Sequence, residues 1–404
     1  MKLTNLPVEF AEAQPVLNAL QAAGFEAYFV GGSVRDVLLG KKIHDVDIAT
    51  SALPDEMKAI FPKTIDVGIQ HGTILVLFHG GQYEVTTFRT ESTYHDFRRP
   101  DHVTFVRSLE EDLKRRDFTI NAFALDPSGD LIDLFDGLAD LDQKIIRAVG
   151  DPQERFHEDA LRMMRGLRFA SQLDFAIEKE TLAAIYDYHH LLGKISIERI
   201  QAEFTQLLMA RDRRNGLLPF VETECYLYCP GLKDFGAELL EAADLPELPF
   251  EKASHAWAVL IDQMGLADKK IGSFMKSWKL SNQLIADVRA LLKGLAVRKK
   301  GNWTPDSLYA LGLGYAEEVE NLLPFYHLSA EHPSLAALYD ALPIKCREEL
   351  AVNGKDLLEN IDVPQGPWIG TALQQIEQLV LHQRLPNDRE KILQYLKEEK
   401  EIDF

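Results

Sequence analysis

Apolar residues in the first 150 positions fall in short runs separated by polar turns, whereas beyond them they recur mostly at helical spacing. AYFV (27–30) is a β-rich run, followed by Gly31-Gly32 and then SVRDVLLG, where Val34, Val37 and Leu38 share one helical face until Gly40 closes the turn. This predicts strand, glycine turn, helix. VDIAT (46–50), GTILVLF (72–78) and YEVTTFR (83–89) predict further strands, the last two joined at Gly80-Gly81 as a hairpin. TESTYHDFRRPDH (90–102) has neither period and predicts a mobile loop.

Ser108 with Glu111 has capping-box spacing and predicts a short helix over LEEDLKRR, after which FTINAFALD (118–126) reads as strand. Asp151-Pro152 with Glu154 predicts another helix start. EDALRMMRGLRFASQL (158–173) and ISIERIQAEFTQLLMA (195–210) predict amphipathic helices. Past Pro230 the helical pattern breaks at 243–252, 298–307 and 363–370, which are linker candidates. There is no internal repeat and no low-complexity tract.

A chain of 404 residues implies two to four domains, and 46% hydrophobic with 26% charged residues is a globular balance. No apolar run approaches the ~20 residues of a membrane span, and acids interrupt the N-terminal segment where a secretory signal needs an apolar core. The expectation is a cytoplasmic protein without membrane contact. The net charge of −19 excludes a global positive field, so any nucleic-acid binding needs locally concentrated basic groups. Cys225, Cys229 and Cys346 are too few for a disulfide framework, and CYLYC predicts two buried thiols rather than a zinc site.

Candidate chemistry starts at Asp45 and Asp47. Alternate strand residues share a face, with Cα atoms roughly 7 Å apart, so both carboxylates can project together and hold divalent cations. Taken alone the pair equally suits a solvated strand end. Upstream, Gly31 and Gly32 would let phosphate oxygens approach backbone N–H groups, and Arg35 could add a charged clamp. A glycine turn, an arginine and a paired-aspartate strand within 17 residues form a more specific pattern than any of them singly.

Asp159 and Arg162, three apart on the predicted helix, would set an acceptor beside a donor fork. Cytosine and adenine both present an amino donor next to a ring-nitrogen acceptor, whereas uracil and guanine present the reverse order. One rigid Asp/Arg edge can therefore accept C and A and reject U and G without a nucleic-acid template. In isolation such a pair is as well an ordinary surface salt bridge. Arg165 and Arg168 continue at three-residue steps and suit a triphosphate and an RNA end, while Leu161, Met164, Leu167 and Phe169 supply the packing face. Glu84 is a candidate third carboxylate, or a solvent-facing strand position. Spacing assigns Arg115 and Asn121 no role.

The string VGGSVRDVLLGKKIHDVDIATSALP resembles the signature of the nucleotidyltransferase superfamily, in its bacterial class II branch of CCA-adding enzymes (CCA tRNA nucleotidyltransferases) and poly(A) polymerases. KRRDFTINAFALD (114–126), DLFDGLADL (133–141), RFHEDALRMMRGLRFA (155–170) and ISIERIQAEF (195–204) resemble the following motifs in order, and ELAVNGKDLLE with GPWIG resembles the tail of the bacillus-type enzymes. The resemblance implies an α+β chain: a mixed-sheet, polymerase β-like nucleotidyltransferase head (1–150), then an all-helical nucleotide-selecting neck (151–220), RNA-binding body (221–335) and tRNA-binding tail (336–404), arranged as a hook. It implies Mg²⁺ on Asp45 and Asp47, and nucleotide contacts from Gly32, Arg35, Arg116, Asp159, Arg162, Arg165 and Arg168. The implied partners are CTP, ATP and the acceptor arm and 3′ end of tRNA, with a homodimer left open. The loop at 90–102, with Arg98-Arg99-Pro100, has the length of enzymes that add all of CCA rather than CC. No C-terminal histidine–aspartate cluster suggests an appended phosphohydrolase. A poly(A) polymerase or A-adding enzyme, or a catalytically silent RNA-binding protein, remain the alternatives.

Overall fold

The computed structural model describes residues 1–43, 45–91, 103–329 and 335–398. The chain divides into two compact units, one of residues 1–251 with 273–279, the other of 252–272 with 280–404.

The first unit opens with helix α1 (Val8–Ala22), strand β1 (Ala27–Val30), helix α2 (Gly32–Leu38), strand β2 (Asp47–Thr50) and helix α3 (Pro54–Ile60). Strands β3 (Thr64–Gly68), β4 (Thr73–Phe78) and β5 (Gly81–Thr87) follow. β6 (Arg89–Glu91) pairs antiparallel with β7 (Val103–Phe105), so Thr90 and Glu91 of the loop expected over 90–102 are strand, and the rest of that loop, 92–102, lies outside the described residues. Helix α4 (Leu109–Lys114), strands β8 (Phe123–Leu125) and β9 (Leu131–Asp133) and helix α5 (Gly137–Asp142) complete the sheet region. The seven strands run in the order β3-β4-β5-β2-β1-β8-β9, with β2 and β5 parallel and every other neighbour antiparallel. This is the mixed-sheet head.

One face of the sheet is the core. Phe29, Ile48, Val85, Ile74 and Val76 alternate inward and are buried under α1, whose Phe10 ring stacks on Phe29 at 4.4 Å. The β4–β5 turn centres on His79 (φ 49°) and Gly80 (φ 86°), and Gly81 already pairs with Phe78. The hairpin thus sits one residue before the Gly-Gly expected for it, because two successive left-handed residues match the twist of the strands.

Helices α6 (Pro152–Glu158), α7 (Leu161–Leu173), α8 (Lys179–Tyr188) and α9 (Ile197–Met209) continue the unit. The side chain of Asp151 caps the Gln153 N–H, with Pro152 in the first turn. Two expectations are corrected. The helix predicted over 158–173 begins only at Leu161, since Asp159 is extended (φ −140°, ψ 103°) and separates α6 from α7. Residues 119–121 form a 3₁₀ turn before β8 instead of a strand, freeing the Asn121 side chain for the site described below. Helices α10 (Arg214–Glu222) and α11 (Gly236–Ala243) close the sequence-continuous part of the unit. Cys225 and Cys229 are buried free thiols, and burial pushes Cys225 up to about 12.

The second unit is helical. It includes α12 (Ala253–Gln263), the start of α13 (Asp268–Ser277) and α14 (Asn282–Arg298), and ends on a separate core built around Leu357, Ile376, Val380 and Ile392. Among the described residues no helix is long and apolar enough to cross a membrane.

Candidate active site

The site is a cleft of about 720 Å³ in the first unit, lined by Gly31, Gly32, Arg35, Asp47, Arg116, Asp117, Asp159, Arg162, Arg165, Phe169 and Arg199 among others. Its floor starts where β1 ends. Gly31 has φ 73°, and a Cβ there would lie 3.0 Å from Arg116 Nη1 and 3.5 Å from Asp47 Oδ2. The positive φ favours glycine, and the missing side chain lets the Arg116 guanidinium stand this close to the turn.

Asp47 is the first residue of β2, and its register partner on the parallel strand β5 is Glu84, so the two carboxylates stand side by side on the open face of the sheet. Asp45 precedes the strand, correcting the expectation that both aspartates belong to it. Burial pushes the Asp47 carboxyl above its ordinary range; Arg116 opposes the shift, and Glu84 and Asp45 add to it. Asp47 therefore feels the charge of both neighbouring acids. Among the described residues no group of three or more His, Cys, Asp or Glu is gathered tightly enough to form a ready-made metal cage. The donor set nonetheless fits a hard dication, which prefers carboxylate oxygens and would offset the burial of the Asp47 charge and the smaller repulsion from its acidic neighbours.

The cationic wall rests on two buried aspartates. Asp112 takes Arg115 at 2.7 Å and Arg116 at 3.2 Å; burial alone would raise its carboxyl, but those two arginines hold it below the ordinary range. Against the burial that would raise Asp117, Arg165, at 2.6 Å, holds it far below the carboxylate range. Asn121 links the two sides of the cleft, donating to Asp117 at 3.1 Å and accepting from Arg35 at 2.7 Å. Arg35 is also bonded to Asp36. The Phe169 ring lies under three guanidinium groups, those of Arg35, Arg165 and Arg168, at 5.1, 5.3 and 4.0 Å from its centroid. Arg168 packs there and bonds Glu203 at 2.5 Å, but it does not line the cleft.

Asp159 and Arg162 both line the cleft, though not as neighbours on one helix. Asp159 Oδ1 accepts the Leu161 N–H at 3.0 Å, and both of its oxygens accept from Arg199 of α9, at 3.2 and 2.6 Å. Arg162 donates to Glu158 at 2.6 Å and to the Arg115 carbonyl at 2.7 Å. Arg199, Asp117 and Asp112 were not among the sequence candidates. Asp112 precedes the paired arginines at helical spacing and Asp117 directly follows them, though its partner Arg165 is 48 residues away, and nothing local marks Arg199, 40 residues from its partner.

Three family models match the chain in order: "Poly A polymerase head domain" over residues 27–147, "Probable RNA and SrmB- binding site of polymerase A" over 174–235, and "tRNA nucleotidyltransferase domain 2 putative" over 248–396. A CCA-adding enzyme of Enterococcus faecalis is 58% identical over 99% of this chain and 98% of its own length. The chain belongs to the CCA-adding enzymes. It is accordingly a nucleotidyltransferase, which sets aside the catalytically silent alternative. A CCA-adding enzyme of Ligilactobacillus salivarius is 48% identical, covering 98% of each chain. The crystal structure of the Bacillus stearothermophilus CCA-adding enzyme in complex with CTP superposes with a TM-score of 0.89, at 42% identity, covering 97% of this chain and 98% of that one.

Proposed function

We propose that the chain adds C, C and A to the 3′ end of tRNA from CTP and ATP, choosing each nucleotide with its own Asp159 and Arg162. The observation that carries this reading is the layout of one cleft, with Asp47 at the sheet end, Asp159 and Arg162 at the helical end, and arginines between. That spacing suits a nucleoside triphosphate whose base meets the helices while its phosphates cross the basic wall. The terminal ribose hydroxyl oxygen of the RNA attacks the α-phosphorus, forming the new phosphodiester as the bond to pyrophosphate breaks.

Asp45 and Asp47 would hold Mg²⁺, with Glu84 beside them, and the ion supplies charge neutralisation at the reacting phosphate. Gly31 and Gly32 leave room for phosphate against the backbone. Arg35, Arg116 and Arg165 face the triphosphate, each oriented in advance by Asp36 and Asn121, by Asp112, or by Asp117. Arg168 acts from behind, through the Phe169 ring and Glu203.

At the base edge, a carboxylate has about four acceptor positions. Asp159 fills three, with the Leu161 N–H and two Arg199 donors, which leaves one on Oδ2 for the amino group of cytosine or adenine. Uracil and guanine would bring a carbonyl oxygen there, against a carboxylate.

Residues 1–150 would then be the catalytic head, 151–220 the selecting neck, and 221–335 and 336–404 the RNA-binding body and tail of a cytoplasmic enzyme. The test is a tRNA transcript lacking its 3′ end, offered CTP, ATP or both, with the products sequenced. CTP alone should extend by two residues and both nucleotides together by CCA; runs of A would instead favour a poly(A) polymerase.

A further inference from the structure

The chain carries −19 overall, yet residues 263–300 hold nine lysines and arginines against two aspartates. Within the second unit the most unusual of these is Arg289 on α14. Its Nε is buried without a hydrogen-bond partner, and among the described residues no carboxylate pairs with its guanidinium. Three of the unit's four other arginines are committed, Arg298 to Glu320 at 2.6 Å, Arg347 to Glu377 at 2.6 Å and Arg389 to Asp356 at 2.9 Å.

Arg289 lies over Gly272, where a Cβ would sit 2.9 Å from Nη2 and push the fork aside. It lines a cavity of about 330 Å³ together with Lys293, one turn further along α14, and Asp262, Asp268, Ile271 and Leu292. The Asp262 carboxylate is already taken by Lys299 and by the Tyr326 hydroxyl at 2.6 Å. Asp268 is exposed on the first turn of α13, next to the exposed Lys269 and Lys270.

We propose that this cavity seats a backbone phosphate of RNA, held by the Arg289 fork and by Lys293, and that it is the second unit's docking point for tRNA. The proposal rests on the tRNA reading given above and names a site for it. A half-buried guanidinium without a partner has lost part of its hydration in the free protein, and an incoming anion restores bonds to it that water does not fully supply. A phosphate offers the paired oxygens that a guanidinium fork matches, and the surrounding lysines extend the same field along a sugar–phosphate chain. Such contacts position an RNA without reading its sequence.

The test is the affinity of the full chain for tRNA lacking CCA, measured by anisotropy across a salt series. The variants are Arg289→Gln, Arg289→Lys and Lys293→Gln, with Lys2→Gln as a matched charge loss far along the sequence in the first unit. Arg289→Gln should weaken binding about tenfold, the loss expected for one charge-assisted hydrogen bond. The slope of log affinity against log salt should fall by about 0.7 to 0.9 for each cation removed. Arg289→Lys should lie between wild type and Arg289→Gln, and Lys2→Gln should leave the slope alone. Should Arg289→Gln fold poorly by its melting temperature, Lys293→Gln carries the same slope test. Binding within twofold of wild type and an unmoved slope, in a protein that adds CCA, would overturn the site while leaving the activity. Weakened binding in a protein that adds nothing would uphold the site and remove the activity reading.

Discussion

Arg199 donates both terminal nitrogens to the two carboxylate oxygens of Asp159, at 3.2 Å to Oδ1 and 2.6 Å to Oδ2. Because Asp159 is extended between two helices, the Leu161 N–H is its one local hydrogen bond, to Oδ1, and Arg199 on α9 completes the restraint by holding both oxygens. Arg199→Ala should therefore loosen selection against UTP more than it slows addition of CMP. Arg199→Lys keeps the charge but offers no bidentate fork, and should recover turnover better than fidelity. The ratio of kcat/KM for CTP to that for UTP measures this; equal losses with both nucleotides would assign Arg199 to stability alone.

The carboxylates of the sheet should show a pH signature. The Asp47 carboxyl is raised in the metal-free protein, so the acid limb of the Mg²⁺-binding profile should lie above the ordinary carboxylate range. Glu84→Gln removes one of the negative neighbours and should move that limb to lower pH, whatever it does to the maximal rate. The sign for stability follows from the same shift: protonated Asp47 favours the folded state, an increment present below its unfolded pKa and lost as pH rises through the raised one. Mg²⁺ should accordingly raise the melting temperature at neutral pH and do little near about pH 4. Equal stabilisation at both values would place the ion elsewhere.

Asp117 titrates in the opposite sense. It is held ionised by Arg165, so its contribution to stability is present above the unfolded carboxylate pKa and is lost as pH falls through the depressed folded value. Asp117→Asn leaves Arg165 without its main partner. With 35% of the Arg165 side chain exposed, the cost should be about 2 kcal/mol at neutral pH, below the usual loss for a fully buried pair. Denaturant titrations should show the gap to wild type narrowing below about pH 4. A gap independent of pH would mean that packing, not charge, sets the cost.

Gly31→Ala should abolish addition, since the new Cβ would crowd Arg116 Nη1 at 3.0 Å on a backbone of positive φ. Gly40 also has positive φ, but a Cβ there would meet nothing within 4 Å; Gly40→Ala should keep its activity. Comparable losses at both positions would indicate that backbone strain alone, rather than crowding of the cleft, is responsible.

The strands and helices that bury one face were legible in the sequence, since alternation in YEVTTF and the period in ISIERIQAEF record burial directly. β3 was not: TIDVG alternates, but the strand has only five residues and its Ile65 and Val67 are exposed at the sheet edge, so its apolar positions do not record burial. The motif residues around Gly32, Asp47 and Asp159 were legible through their order along the chain. Their partners were less so. Arg162 looked like the mate of Asp159 at i,i+3, but the chain interrupts the helix at Asp159, so that Glu158 takes Arg162 and a distant arginine takes Asp159. Spacing reports neighbours on a regular helix and fails where a residue is extended.

The central claim is that the protein edge, rather than a nucleic-acid template, chooses the base. Its most direct measurement is competition between CTP and UTP on tRNA lacking CCA, with wild type and Asp159→Ala. Losing the acceptor removes both the bond to the amino group of cytosine and the repulsion of the uracil carbonyl, so the preference for CTP should fall about ten- to a hundredfold while extension continues. Loss of activity with the CTP preference intact would contradict the account and make Asp159 a structural residue.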